Sequence, residues 1–129
     1  MLEKEEAFPS VFSKFLNWLK QNNLEYTSHQ DSNFTYITCG DWDLHYMLPS
    51  QCSTSMIELP DHLQHWINVK KSFARSRRGN YPRSLAQMLK ELDLTFEGRQ
   101  HSGIDDVRNI VKVVQALAKH RHYVFENTS

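Results

Sequence analysis

The sequence predicts an α/β fold with a largely parallel sheet. Strand-like segments rich in β-branched and aromatic residues alternate along the chain with amphipathic helical segments. The length of 129 residues and the hydrophobic fraction of 40% suit one globular domain with a modest core. Because ligands of such folds bind at the C-terminal ends of the strands, residues that follow a strand are the first candidates for a site.

Three segments have clear helical periodicity. The first covers residues 9–20, with Pro9 in its first turn. The second covers residues 85–92 and follows Ser84, a preferred N-cap residue. The third covers residues 103–119, and its predicted buried stripe consists of Ile104, Val107, Ile110, Val111, Val114, Leu117 and Ala118.

The strands and short helices are predicted from residue composition and from the positions of glycine and proline. Residues 34–39 and 66–69 read as strands, and residues 123–125 are considered as a terminal strand. After Gly40, Asp41 is expected to cap a short helix that Pro49 stops. Another short helix is expected at residues 59–65. The basic stretch after residue 69 is predicted to be a loop or an irregular helix.

Charge is uneven along the chain although the formal net charge is zero. The stretch from His62 to Lys90 contains no acidic residue. A local basic segment can bind phosphates, but a solvated basic face explains the pattern equally well. Its cations are Lys70, Lys71, Arg75, Arg77, Arg78, Arg83 and Lys90.

Several sequence features bear on location. No run of about 18 apolar residues is present, so no membrane span is predicted. The acidic start of the chain does not resemble a secretory signal. Cys39 and Cys52 lack CxxC spacing and are expected to be reduced thiols. An intracellular protein of the nucleus or cytoplasm is therefore predicted.

Two segments place acids where a loop meets a helix. Residues 38–44 follow the first predicted strand, and residues 101–106 begin the last helix. From the residues alone, Asp41 is more readily a helix cap than a ligand. Asp105 and Asp106 could simply complement the helix dipole. His101, taken alone, is more often a surface histidine than a catalytic one.

Longer stretches of sequence add to this interpretation. They are Phe8-Pro9, FLNWLK at 15–20, GDWDL at 40–44, MLPSQC at 47–52, WINVKK at 66–71, GRQHSGIDD at 98–106 and RNI at 108–110. Together they resemble the Snipper and enhanced-RNAi exoribonucleases of the DEDDh superfamily. The resemblance covers nearly the whole chain.

The resemblance implies an RNase H-like fold and removal of nucleotides from RNA 3′ ends with two Mg²⁺ or Mn²⁺ ions. Asp43 and Asp106 match the metal-binding acids of the second and third motifs, and His101 matches the histidine that deprotonates the attacking water. Carboxylates are the hard ligands such ions favour, and histidine can accept a proton at physiological pH. Single-stranded RNA 3′ ends are the expected substrate. Lys70, Lys71 and Arg75 are candidate phosphate contacts.

The first motif of that family, Asp-x-Glu on an early central strand, has no counterpart in this sequence. We therefore expect an incomplete RNase H-like fold that lacks the first strands of its mixed sheet, as a single partial exonuclease domain over residues 1–129. With two of four acids absent, weak metal binding and negligible activity are expected of this chain alone. An unpaired edge at the strand of residues 34–39 would favour self-association or a partner.

Two functional hypotheses remain open at this point. The first is a 3′→5′ exoribonuclease whose upstream strands are missing from this sequence, and it is favoured by the retained Asp43, His101 and Asp106. The second is a short, non-catalytic module that binds RNA or a partner, and it is favoured by the absent motif and the start at Met1. We favour the first for the parent protein.

Overall fold

The structure is a computed structural model that describes residues 6–28, 31–119 and 125–126. Within these residues the chain forms five α-helices, a π-helix, a 3₁₀ helix and two strands. Contacts divide the chain into two compact units. The first unit comprises the residues up to Tyr36 together with Trp42–Trp66, and the second comprises Ile37–Asp41 together with the residues from Ile67 onwards.

The sheet consists of β1 (Tyr36–Thr38) and β2 (Trp66–Asn68), which run parallel. This confirms the α/β fold class. β1 is shorter than the predicted strand, and before it the carbonyl of Phe34 accepts a hydrogen bond from the Ser32 hydroxyl at 3.2 Å. The prediction of a strand at residues 123–125 lies mostly outside the described residues, and Phe125 is not in a strand.

The first unit is organised around α1 (Phe8–Gln21), which confirms the first predicted helix. Its aromatic face stacks ring on ring, with 5.2 Å between the ring centroids of Phe8 and Phe12. A π-helix (Asp43–Met47), α2 (Leu48–Thr54) and a 3₁₀ helix (Asp61–Gln64) follow. The buried centre of this unit consists of Phe12, Cys52 and Leu63.

One prediction about the segment after β1 is wrong. Pro49 does not stop a helix but lies in the first turn of α2, where a backbone N–H is not required. This is possible because the preceding turn is π-helical, with the N–H of Leu48 bonded to the carbonyl of Asp43. Asp41 directly precedes Trp42, which already has helical backbone angles and forms no side-chain cap for the π-helix, so the cap at Asp41 stays a prediction.

The second unit is built from α3 (Val69–Ser76), α4 (Leu85–Glu91) and α5 (Gly103–Ala118). α3 is a regular helix where a loop or irregular helix was predicted, because the side chain of Asn68 caps it by accepting from the N–H of Lys70. Ser84 caps α4 as predicted. α5 packs against α3 and α4, and the shared core consists of Val69, Phe73, Met88, Leu89, Val113 and Leu117.

The predicted apolar stripe of α5 is only partly buried. Ile104, Val107 and Val111 are 59%, 54% and 46% exposed, and Ala118 is exposed too, whereas Val113 and Leu117 are fully buried. The helix has more apolar residues than one face can hold. The face toward α3 and α4 is therefore set by Asn109, Val113 and Leu117 at four-residue spacing.

Several other expectations bear on the whole chain. No described helix combines the length and apolar character needed to cross a bilayer. Neither Cys39 nor Cys52 is in a disulfide, and burial raises the pKa of the Cys52 thiol. The single domain over residues 1–129 and the self-association through the edge of β1 stay predictions.

Candidate active site

The loop after β1 is held by a buried amide. Gly40 has a φ of +105°, a left-handed conformation that suits glycine. Its N–H donates to Oδ1 of Asn68 at 3.0 Å. Because Asn68 is fully buried and also caps α3, the loop that leads into Asp41 is fixed to the start of that helix.

The two acids of this segment have different surroundings. Asp41 Oδ2 lies 3.4 Å from Nζ of Lys71, which is an ion pair within the second unit. Asp43 lies in the first unit, where it is exposed and begins the π-helix. Single-turn π-helices are frequent at functional sites. Of the two, Asp43 is therefore the acid with its side chain open to solvent.

The second predicted segment contains a tight loop before α5. His101 has a φ of +66°, which is uncommon for a residue with a side chain. Its N–H donates to Oδ1 of Asp106 at 3.3 Å. The structure therefore brings together two of the three predicted catalytic residues, His101 and Asp106. His101 is exposed and Asp106 is half-buried.

Asp105 is occupied by structural contacts. Its Oδ2 accepts from the N–H of Arg99 at 3.0 Å, and its Oδ1 lies 3.8 Å from Nη1 of Arg108. A carboxylate used in this way has less capacity for a metal ion than one that faces solvent. Asp106 also accepts a backbone N–H, so the choice of Asp106 over Asp105 as the ligand stays a prediction.

The predicted ligands are of the chemical type that binds divalent metal ions, but they are too few for a complete site. The predicted ligands, Asp43 and Asp106, are carboxylates, which Mg²⁺ and Mn²⁺ favour. Among the residues that the structure describes, however, no three His, Cys, Asp or Glu side chains come together as a metal site would require. These residues alone therefore do not build a two-ion centre.

The predicted phosphate contacts all lie on α3 and already have partners. Lys71 pairs with Asp41, and Nη1 of Arg75 donates to Glu126 at 2.6 Å. Nζ of Lys70 donates to the carbonyl of Arg83 at 3.3 Å and lies 5.8 Å from the ring centroid of Tyr81. Of the three, Lys70 is the one whose charge is not neutralised by a carboxylate in these contacts.

Sequence reasoning missed two buried amides, Asn68 and Asn109. Each is fully buried and hydrogen-bonded to backbone beside a predicted site segment. A signal existed for Asn109, since it is four and eight residues before Val113 and Leu117 on one helical face. For Asn68, the signal was its position as a polar residue at the end of a buried strand, which indicates a buried hydrogen-bonding role.

A further pair of ionisable groups lies in the first unit, outside the predicted site. The hydroxyl of Tyr36 is 2.7 Å from Nδ1 of His62. Burial raises the pKa of the Tyr36 phenol. Burial also lowers the pKa of the His62 imidazole, against the opposing charge of Asp61. Both shifts favour the neutral forms of the two groups.

Sequence comparisons place the chain among exonucleases. The profile of the exonuclease family RNase_T matches residues 1–114. ERI1 exoribonuclease 3 of Bos taurus is 36% identical over all of this chain, which covers 37% of that relative. 3′-5′ exoribonuclease 1 of Rattus norvegicus is 35% identical over 87% of this chain and 32% of its own length. The chain thus spans about a third of the length of these curated relatives.

Solved structures agree in fold. The nuclease domain of 3′hExo, a DEDDh family member, bound to rAMP, superposes with a TM-score of 0.83 at 27% identity, over 95% of this chain and 59% of that one. A 3′-exonuclease structure described as 3′-end specific recognition of histone mRNA stem-loop gives 0.78 at 25% identity, over 95% and 57%. The fold is therefore RNase H-like, as predicted. The chain belongs to the RNase_T exonuclease family and is homologous to the DEDDh 3′-5′ exoribonucleases, matching their C-terminal part.

Proposed function

We propose that this chain is the C-terminal, histidine-bearing part of a 3′→5′ exoribonuclease. The observation that supports this most is the hydrogen bond from the His101 backbone to the Asp106 carboxylate, in a chain homologous to exoribonucleases. This contact joins the residue proposed as the base to one proposed as a metal ligand, which supports a shared role for the segment. Nothing in the comparisons favours the alternative, a non-catalytic module that binds RNA or a partner.

Each site residue has a distinct proposed role. The family generally uses divalent metal ions, which activate the attacking water and stabilise the leaving oxygen. We assign Asp43 and Asp106 as ligands of Mg²⁺ or Mn²⁺, with the remaining ligands supplied by an Asp-x-Glu segment outside this sequence. His101 accepts the proton of the attacking water at its imidazole ring.

The proposed substrate is a single-stranded RNA 3′ end. Two structural neighbours support RNA as the ligand class, since one is bound to rAMP and the other concerns a histone mRNA stem-loop. The exposed position of His101 suits a substrate that enters from solvent. The proposed location is intracellular, in the nucleus or the cytoplasm.

The test compares this chain alone with a joined protein. In the joined protein, this chain follows the segment of ERI1 exoribonuclease 3 that precedes the matched region. With Mn²⁺ and a short 5′-labelled single-stranded RNA, we expect a ladder of shortened products from the joined protein only. The chain alone is expected to give no products, because two carboxylates leave most of each ion's coordination to water and substrate.

One control identifies the direction of cleavage, and two outcomes would contradict the expectations. RNA with a blocked 3′ end should remain intact, which separates exonuclease from endonuclease cleavage. A joined protein that folds but does not trim would contradict the proposed function. Trimming by the 129-residue chain alone would instead refute the requirement for the additional acids.

We predict that Lys70 contributes more to RNA binding than Arg75, because Arg75 is neutralised by Glu126 whereas Lys70 is held by a carbonyl and an aromatic ring. If Lys70 contacts one phosphate, Lys70→Ala should reduce the slope of log affinity against log salt by about 0.7. Fluorescence anisotropy with single-stranded RNA over a salt series measures this slope. The joined protein is the sample, since it contains the complete proposed binding site.

Arg75→Ala is the matched control because it removes one cation from the same helix. A larger loss of slope in Arg75→Ala than in Lys70→Ala would reverse the assignment. Equal slopes in both variants and the parent protein would place the RNA backbone away from α3.

A further inference from the structure

A short loop before α5 is bound to that helix at alternate residues. We call Glu97–Ser102 the histidine loop, because it contains His101. The backbone N–H groups of Glu97, Arg99 and His101 donate to side chains of Asn109, Asp105 and Asp106 respectively. Every second residue of the loop is thus anchored to the first two turns of α5. The side chain of His101 is exposed, and the backbone that carries it is held by hydrogen bonds to side chains of α5.

Asn109 makes the largest number of these contacts. Its Oδ1 accepts from the N–H of Glu97 at 2.9 Å. Its Nδ2 donates to the carbonyls of Glu97 at 2.8 Å and Asp105 at 2.6 Å. Both amide protons and the amide oxygen are used, and the side chain is 0% exposed. Loss of the amide would remove three hydrogen bonds from a fully buried position, which is costly.

The loop contains one residue, His101, in a backbone conformation that residues with side chains seldom adopt. Gly98 has a φ of +88°, and a Cβ placed there would lie 2.5 Å from Cγ of Asp105. His101 also has a positive φ. Residues in sparsely populated backbone regions persist only when surrounding contacts impose them. The contacts from α5 are the ones that impose this conformation on the loop.

We propose that Asn109 is a positioning residue for His101. It ties the start of the histidine loop to the helix and fixes the carbonyl of Asp105, whose carboxylate holds Arg99. Through these contacts it sets the backbone from which the His101 ring projects. The inference deepens the proposed function, since it rests on His101 being the base, but the loop geometry can be tested without activity.

The test is nuclear magnetic resonance of the isotope-labelled 129-residue chain. Asn109→Asp keeps the size and the acceptor for Glu97 but replaces the amide donor by an oxygen facing two carbonyls. We expect the ¹⁵N order parameters of Arg99 and His101 to fall from the rigid range, about 0.85, to below about 0.6. The ring resonances of His101 should move toward those of an unstructured histidine.

A second variant changes the loop itself rather than the helix that contacts it. Gly98→Ala introduces a Cβ against Asp105 at an exposed position, so it should loosen the same residues even if Asn109→Asp does not fold. Val113→Ala is the control, because it removes buried volume one turn further along α5 without touching the loop. It should lower stability while it leaves the order parameters of the loop unchanged.

Failure of this proposal can be distinguished from failure of the proposed function. A rigid loop with unmoved His101 ring resonances in folded Asn109→Asp, or in Gly98→Ala, would overturn the proposal. Equal loosening in Val113→Ala would overturn it too, since that would show a general effect of stability. Failure of the proposed function would appear elsewhere, as nuclease activity that persists without the His101 imidazole in the joined protein.

Discussion

In the joined protein described above, His101→Ala is expected to lower the maximal rate of RNA trimming by about 10²–10⁴-fold, the usual contribution of a general base. The Michaelis constant should change little, because the imidazole is proposed to act on the attacking water rather than to bind RNA. Single-turnover trimming at saturating protein isolates this step from product release. This is the largest effect that we expect from any single substitution in the chain.

The structure makes this variant informative because the side chain of His101 is exposed. Among the residues that the structure describes, the loop is held through the backbone N–H of His101 and not through its ring. Removal of the imidazole should therefore leave the hydrogen bond to Asp106 in place. A fall in rate can then be assigned to the missing base rather than to a displaced metal ligand.

His45→Ala is the matched control. His45 is also exposed and is two residues after Asp43, so it is the other histidine close in sequence to a predicted acid. Within the described part of the chain, its ring contacts are with Tyr46 and Trp66, neither of which is a predicted site residue. We expect this variant to retain its rate. If His45→Ala lost activity while His101→Ala kept it, the two histidines would have to exchange roles.

Local sequence patterns predicted much of the fold. Helical periodicity placed α1, α4 and α5 to within about two residues, and the position of Ser84 correctly indicated a cap. Pro49 was misread because proline ends most helices, and nothing local shows that a π-helical turn before it moves proline into a new first turn. The preference of proline for helix ends was applied correctly, but the backbone geometry before Pro49 was not foreseen.

The buried face of α5 shows where local reasoning fails. Hydrophobicity ranked Ile104 and Val107 as core residues and left Asn109 out, yet the structure exposes the first two and buries the third. An asparagine is buried only when its partners are available, and those partners come from a loop twelve residues away in the chain. A one-dimensional pattern cannot encode such a pairing.

The predicted site residues were recognised through family resemblance, and the structure explains why composition was insufficient. Asp105 and Asp106 are adjacent and look equivalent in sequence. In the fold, Asp105 turns to Arg99 and Arg108, whereas Asp106 accepts from the N–H of His101. Their difference is a property of the loop conformation, which depends on Gly98 and on contacts from α5.

Phe73→Ala is expected to have the largest effect on stability. Phe73 is 1% exposed and belongs to the core of the second unit. Truncation of a buried phenylalanine costs about 3–5 kcal/mol in free energy of unfolding. With typical urea dependence, this lowers the denaturation midpoint by about 2 M. Val111→Ala is the control, since it removes a half-exposed side chain and should change stability by less than about 0.5 kcal/mol.

The same variant tests the prediction of a single domain. The three tryptophans, Trp18, Trp42 and Trp66, all belong to the first unit, whereas Phe73 belongs to the second. Tryptophan fluorescence therefore reports on the unit that the substitution does not touch, and circular dichroism reports on helices of both. Chains of this length usually unfold in one cooperative step, so we expect both transitions to shift together.

A fluorescence transition that stays at its original midpoint while circular dichroism becomes biphasic would contradict the single domain. The two cores would then be independent folding units. That result would also bear on function, because Asp43 belongs to the first unit and both His101 and Asp106 to the second. Loss of the second core would leave Asp43 in a folded environment while the histidine loop lost the helix that holds it. Coincident transitions would mean that a single folding event supplies every proposed catalytic residue.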